Sequence, residues 1–387
     1  MNIDDNIIFK REIDLNRPKS SIFLLGPRMT GKTYLLKEMD VDVYIDLLDV
    51  NKELELRSNP KLFWEQIEAL PNRSNIIIDE IQKVPELLDY IHKAIEEKKH
   101  KFILSGSSAR KLKKQSANLL AGRALDYKLW PLTIEEIAKK IPLTKIVELG
   151  SLPKVCQLLA QKNEEEAQDI LRTYTNLYLK EEIQQESIVR KLASFQRFFA
   201  VAAQSHGEVV EYANIASECS VPSSTVKEYF QILEDTLVGF FLWPYNRSER
   251  KKARPKFYFF DNGVVRAIQG RLNAKPGPDE LGHLFEAFFV NEVRRINSYL
   301  KKDFNLSLWR QDKYEIDLVI SRGSKMLMAF EIKSGKNIRI DPSLKAFKRQ
   351  FPKVPISIVS MHDELKRIVH DIEIFPCQEA LSMIRAL

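Results

Sequence analysis

Three groups of residues in this 387-residue sequence have the types and spacing to do chemistry. The first is Gly26-Pro27-Arg28-Met29-Thr30-Gly31-Lys32-Thr33, a G-x-x-x-x-G-K-T segment. An apolar run at 22–25 leads into it, and a helical pattern beginning at Tyr34 leads out. A strand that turns through such a loop into a helix aims backbone N–H groups at one point, which then attracts an anion. Gly26 and Gly31 permit the tight backbone, Lys32 reaches toward β- and γ-phosphates, and Thr33 is placed to hold Mg²⁺. The second group is Asp79-Glu80, at the end of Ile76-Ile77-Ile78. Ligands of open parallel sheets bind at the C-terminal edge of the strands. Asp79 is therefore the expected Mg²⁺ partner, and Glu80 the group that orients and polarises an attacking water. A further apolar run at 102–104 ends in Ser105 and Ser107. Either hydroxyl could sense a γ-phosphate, and either could instead cap the next helix. Together these residues specify a site for ATP and Mg²⁺.

The third group is Asp317, Glu331 and Lys333, with Glu286 upstream. On a strand alternate residues share a face, so Glu331 and Lys333 in MAFEIKSG (328–335) point the same way. By itself this tripeptide reads as an exposed strand face with a solvated ion pair. Its setting is more specific. A helical pattern at 279–300 carries Glu286; strands follow at 305–311, at 314–321 with Asp317, and at 325–335; then come a helix at 341–351 and a strand at 355–361. This α-β-β-β-α-β order resembles that of the PD-(D/E)xK nucleases. The resemblance implies that Asp317 and Glu331 share a divalent cation, Mg²⁺ or Mn²⁺, both suited to hard carboxylate oxygens. It implies too that Lys333 positions or deprotonates water, and that Glu286 supplements the metal site. A fold does not confer its activity, and the same acids could instead form ion pairs in a core that cuts nothing.

The elements that must hold these residues follow from the pattern. Buried runs over 1–140 alternate with helical segments, giving a P-loop domain with a parallel sheet between helices and right-handed crossovers. Residues 141–193 read as a helical connector, in which Ile170, Leu171, Tyr174, Leu177 and Tyr178 recur at helical spacing as a core face. Over 194–274 the pattern becomes a helix, then a helix–turn–helix with Pro222 in the turn and Ser223 capping the second helix, then two strands. That is a winged-helix outline. Its tip holds Arg247, Arg250, Lys251, Lys252, Arg254 and Lys256 against one acid, Glu249. In such modules the second helix enters the major groove of DNA and the wing follows phosphates. A packing or protein-interaction role stands equally open. Residues 275–387 form the nuclease-like α/β domain.

Composition bounds the setting. The net charge of +7 permits nucleic acid binding without demanding it. Hydrophobic residues make up 44% and charged residues 29%, and no apolar run approaches the roughly 20 residues of a membrane span, so no membrane partner is expected. The first residues show no signal-peptide pattern, and Cys156, Cys219 and Cys377 are scattered and odd in number. No disulfide framework or cysteine zinc site follows, and a reducing cytoplasm is the expected location.

The segments GPRMTGKT, IIIDEIQKVPEL, ILSGSSARKL, LLAGRALDYKLWPLTIEEI and ELGSLPKV occur in that order. Across nearly the whole chain they resemble the AAA-type ATPases of archaea and bacteria that carry a C-terminal domain of unknown function. Where that family usually has Gln or Arg followed by Val, this chain has Met29-Thr30. The resemblance implies ATP binding and hydrolysis by an often oligomeric protein. It also offers Arg123, in the small-residue-Gly-Arg motif LAGR, as the arginine that meets transition-state charge, with Arg110 second; each could instead be a structural ion pair. The expected function is an ATP-binding, ATP-hydrolysing protein that engages DNA and carries a metal-dependent nuclease domain. The rival is an ATP-controlled switch or scaffold that cuts nothing, and a third reading is a DNA-binding regulator.

Overall fold

The computed structural model describes residues 7–106, 122–178, 192–245 and 254–387. Ser107, Arg110 and the tip residues Arg247, Arg250, Lys251 and Lys252 lie outside the described residues.

The first sheet contains β1 (Ser21–Leu25), β2 (Val43–Asp46), β3 (Asn75–Asp79), β4 (Lys101–Gly106) and β5 (Ala124–Lys128). Its order is β2-β3-β4-β1-β5, with every neighbouring pair parallel. Parallel strands covered on both faces read as unbroken apolar runs, and the burial shows the two layers responsible. Ile76, Ile78, Phe102 and Leu104 pack toward Phe63, Ile67, Leu88 and Ile91 of the helices Pro60–Glu68 and Leu87–Lys98. Ile22, Leu24, Ile77 and Ile103 face the other side, with Leu36 and Leu129. Because β4 lies between β1 and β3, its C-terminal end sits between the Gly26–Thr33 loop and Asp79; Leu24 pairs with Ser105.

Thr133 opens the next segment with a reciprocal cap: its hydroxyl accepts from the Glu136 N–H, and Glu136 accepts from the Thr133 N–H. The helices Leu143–Leu149, Pro153–Ala160 and Glu164–Thr173 follow, then Leu192–Gln204, Tyr212–Cys219 and Ser223–Asp235. The expected Ser223 cap is corrected here. Pro222 takes the N-cap place, extended at φ −61° and ψ 149°, and Ser223 is the first helical residue. Proline's fixed φ sets this turn without a side-chain bond. Two antiparallel strands close the module, β6 (Gly239–Leu242) and β7 (Lys256–Phe259).

The C-terminal domain begins with the helix Pro278–Leu300, buried over most of its circumference. Its mixed sheet contains β8 (Asn305–Gln311), β9 (Tyr314–Arg322), β10 (Lys325–Lys333), β11 (Ile356–Ser360), β12 (Arg367–Val369) and β13 (Ile372–Pro376), in the order β12-β13-β11-β10-β9-β8. The helix Pro342–Gln350 connects β10 to β11, and Cys377–Ala386 ends the chain. The hairpin joins this sheet at its edge: Leu308 of β8 donates to Trp243 O at 3.1 Å, and Tyr245 donates back to Leu308 O at 2.7 Å. Among the described residues no helix is long and apolar enough to cross a membrane, and Cys156, Cys219 and Cys377 are free and buried.

Candidate functional site

The C-terminal edge of the parallel sheet gathers the first two groups. Gly26 is packed so closely that a Cβ there would stand 2.3 Å from Leu129 O, and Gly31 has φ +90°. No side chain larger than hydrogen fits the first position, and the second is left-handed backbone that glycine adopts freely. Met29 also takes a left-handed conformation, at φ 64°. Thr30 is buried and its hydroxyl donates to Pro27 O at 2.8 Å, fixing the curl of the loop. The helix Lys32–Lys37 begins at Gly31 without a side-chain cap. Lys32 folds back onto the loop and donates to Gly26 O at 2.7 Å and Pro27 O at 3.1 Å. Thr33 is half-buried beside it, Arg28 is half-buried in the loop, and Tyr34 is 51% exposed with its hydroxyl engaged by Glu38.

The acids across the edge are held from both sides. Asp79 is buried; Ser105 donates to its Oδ1, and the Tyr44 hydroxyl donates to its Oδ2 at 2.9 Å. Burial and then the Asp79 charge push the Tyr44 hydroxyl pKa up, so it stays a donor. Ser105 also accepts from the Glu80 N–H at 3.0 Å. Its hydroxyl thus positions both acids. Glu80 is a non-glycine residue at φ 61° and ψ 46°, a conformation costing about 1 kcal/mol; such strain concentrates at functional positions. Gln82 donates to its Oε2. The residues fit Mg²⁺ and a polyphosphate: a glycine cradle that a Cβ would fill, one lysine inside it, one hydroxyl, and a fixed carboxylate opposite. Tyr44 is the member that the pattern did not announce.

Arg123 does not join this site within its own chain. Ser21 pairs with Ala124 and Leu25 with Lys128, so residue 123 lies at the N-terminal edge of the sheet. The loop lies at the other edge, some 16 Å of strand away at ~3.3 Å per residue. There Arg123 forms an ion pair with Glu96, at the end of the helix Leu87–Lys98.

The third group does assemble. The β9–β10 register pairs Phe330 with Leu318, and the next step along it sets Glu331 against Asp317. Lys333 contacts Glu331 Oε1 at 2.7 Å. Asp317 Oδ2 accepts from the Ile332 N–H at 2.8 Å. Burial and then the Glu286 charge raise Asp317 to about 7; burial and then Asp317 raise Glu331 to about 8.

One residue enters this cluster from outside. Lys256, read in the sequence as part of the wing, is only 7% exposed. Its ammonium lies 2.7 Å from Glu286 Oε1, 2.7 Å from Glu315 Oε1 and 3.9 Å from Asp317 Oδ1. Burial opposes its charge, but Glu286, Asp317 and Glu315 outweigh burial and raise its pKa. Glu286 also accepts from the Tyr258 hydroxyl, and Glu315 from Arg310 Nε at 2.7 Å. Among the described residues, no group of three or more Asp, Glu, His or Cys side chains is arranged to hold a metal ion. In the expected ligand set Glu286, Asp317 and Glu331, Lys256 stands on Glu286 Oε1 and Lys333 on Glu331 Oε1, so ammonium groups already stand where a divalent cation would be held. Arg254, also counted in the wing, pairs with Glu211.

A pH dependence follows. Carboxyls whose pKa is raised on folding contribute stability that is full below their unfolded values near 4 and is lost as pH rises through about 7 to 8. The charged groups facing Asp317 are Glu286, Lys256, Lys333 and Glu331. Asp317→Asn keeps an acceptor for the Ile332 N–H and removes one titration. Its urea midpoint is expected to fall less than the parent's between pH 4 and 8; equal slopes would show that Asp317 is not the group titrating.

Comparisons with known proteins match the chain in three segments. Residues 18–138 match the model of an AAA domain; residues 142–275 and 281–380 match two domains of unknown function, DUF8612 and DUF4143. An uncharacterized protein of Mycobacterium tuberculosis, Rv2008c, is 26% identical over 337 residues, covering 84% of this chain and 73% of that protein. The uncharacterized MJ1544 of Methanocaldococcus jannaschii is 22% identical over 395 residues, covering 92% and 86%. Among solved structures, Aeropyrum pernix ORC1 in complex with DNA overlaps with a TM-score of 0.35 at 11% identity, covering 66% of this chain and 87% of that one. Replication initiator DnaA bound to AMPPCP and single-stranded DNA gives 0.31 at 14%, covering 57% and 84%.

Proposed function

We propose that this chain, whose first third is an AAA-type P-loop domain, binds Mg²⁺-ATP at the sheet edge, hydrolyses it, and acts as a nucleotide-controlled switch. The observation that carries the reading is the opposition of Lys32, inside a glycine cradle, to Asp79, fixed by Ser105 and Tyr44. Lys32 would exchange its loop carbonyls for phosphate oxygens. Thr33 and Asp79 would hold Mg²⁺, which supplies charge neutralisation at the phosphates. Glu80 would orient the attacking water. Tyr34, Arg28, Met29, Thr30 and Pro27 shape or flank the nucleotide. No arginine for the transition state is assigned, because Arg123 stands at the far edge and Arg110 lies outside the described residues.

The switch reading is preferred to DNA processing on one observation. The exposed positions of the helix Ser223–Asp235 are Ser223, Ser224, Lys227, Glu228 and Gln231, whose charges cancel. A helix that enters a groove between phosphates is expected to carry net positive charge. Phosphate release from ATP by the purified chain, with Mg²⁺ and with EDTA, tests the function. Magnesium-dependent release is expected. No release, together with no rise in melting temperature on adding ATP, would overturn it.

A further inference from the structure

We propose that the Lys256 ammonium occupies the place of a divalent cation among Glu286, Glu315 and Asp317. The cluster is then a clasp joining the hairpin to the C-terminal domain, and not a metal centre.

The argument begins with reach. Lys256 is the first residue of β7, and Lys256 and Tyr258 share one face of that strand. Both side chains end on Glu286 Oε1, which stands on the helix Pro278–Leu300. The same ammonium contacts Glu315 of β9. One cation thus ties three elements, and the hairpin holding it is anchored to β8 through Leu308.

Charge makes the same point. The carboxylates Glu286, Glu315, Asp317 and Glu331 are met by Lys256, Lys333 and Arg310. A dication would add two charges where three cations already stand among four carboxyl groups. Lys256 cannot leave cheaply. It is buried, and a buried ammonium deprived of its partners loses far more than it gains. Among the described residues Glu331 Oε2 is buried without a hydrogen-bond partner, while Lys333 holds the other oxygen of that carboxylate.

Mn²⁺ titration of the nucleotide-free full chain, followed by electron paramagnetic resonance and by melting temperature, tests the proposal. The parent and Asp317→Asn should give the same Mn²⁺ response, because any weak binding at the sheet edge around Asp79 is common to both. Lys256→Met keeps the length of the side chain and removes the cation. It should melt lower than the parent, and Mn²⁺ should raise its melting temperature by about 4 °C. Adding Asp317→Asn to Lys256→Met should cancel that rise. Mn²⁺ bound by the parent but not by Asp317→Asn would overturn the proposal. So would a folded Lys256→Met chain that responds to Mn²⁺ no more than the parent does. Should Lys256→Met fail to fold, the comparison of the parent with Asp317→Asn still decides.

Discussion

Glu80→Gln is expected to bind ATP as tightly as the parent chain and to turn it over at least about 10²-fold more slowly. The substitution is nearly isosteric. Glutamine keeps a carbonyl oxygen that can accept from Gln82 Nε2, and it leaves the backbone contact between the Glu80 N–H and Ser105 in place. What it loses is the negative charge that polarises a water against the γ-phosphate. The backbone at residue 80 is left-handed, at φ 61°, immediately past the end of β3. Lys32→Ala should behave differently. It removes the one ammonium inside the cradle, so ATP binding itself should fail, and no rise in melting temperature should follow ATP addition. Fluorescent-nucleotide titration and single-turnover phosphate release separate the two outcomes. If Glu80→Gln keeps the parent rate, the water-orienting role belongs to another group. If Lys32→Ala still binds ATP with parent affinity, the cradle is not the nucleotide site.

The difference between what the sequence displays and what it conceals is one of range. The loop at 26–33 is legible because its chemistry is local: eight consecutive residues carry the turn, the lysine and the hydroxyl. Asp79 and Glu80 are legible because a buried parallel strand must end where ligands bind. The position of Arg123 was open to the same reasoning. A residue just before a parallel strand lies at the edge opposite the site, and the order of elements alone implies it. Tyr44 reaches Asp79 from a strand 35 residues upstream, and no local pattern marks it. Lys256 falls in the basic run 247–256, which reads as a wing tip with phosphate contact and a packing role equally open. The signal against that reading was its parity with Tyr258, an aromatic in a strand buried throughout. The strands β12 and β13 carry no such signal in the sequence. β12 is three residues long and largely exposed, too short for alternation to register.

Arg11→Met is expected to lower the stability of the chain by about 3 kcal/mol, the cost of breaking one partner out of a buried ion pair, and to weaken ATP binding as well. The guanidinium donates to Glu136 Oε1 at 3.0 Å, to Thr30 O at 2.7 Å, to Trp130 O at 2.6 Å and to the Tyr299 hydroxyl at 3.1 Å. Burial works against its charge, but Tyr299 and Glu136 outweigh burial and raise its pKa. One side chain therefore fixes the nucleotide loop, the cap of the following segment and the helix Pro278–Leu300. The neighbouring Glu12 extends the tie, since Arg385 of the last helix grips it at 2.6 and 2.8 Å. Methionine fills the volume but removes the Arg11 donor from the Thr30 carbonyl and takes one donor each from the Trp130 carbonyl and the Glu136 carboxylate. The loop carbonyl at Thr30 is then free to move, and a displacement of about 1 Å in a positioning group is enough to cost up to 10²-fold in rate. Tyr299→Phe separates the two effects. It keeps the Arg11 bond to Thr30 and removes only the hydroxyl, which accepts from the Trp130 N–H at 2.9 Å. It should cost about 1–3 kcal/mol and leave ATP affinity close to that of the parent. Urea unfolding with and without ATP reads both quantities at once. If Arg11→Met loses stability while its ATP affinity stays at the parent value, the residue is a structural tie alone, and the coupling between the loop and the C-terminal domain must run by another route.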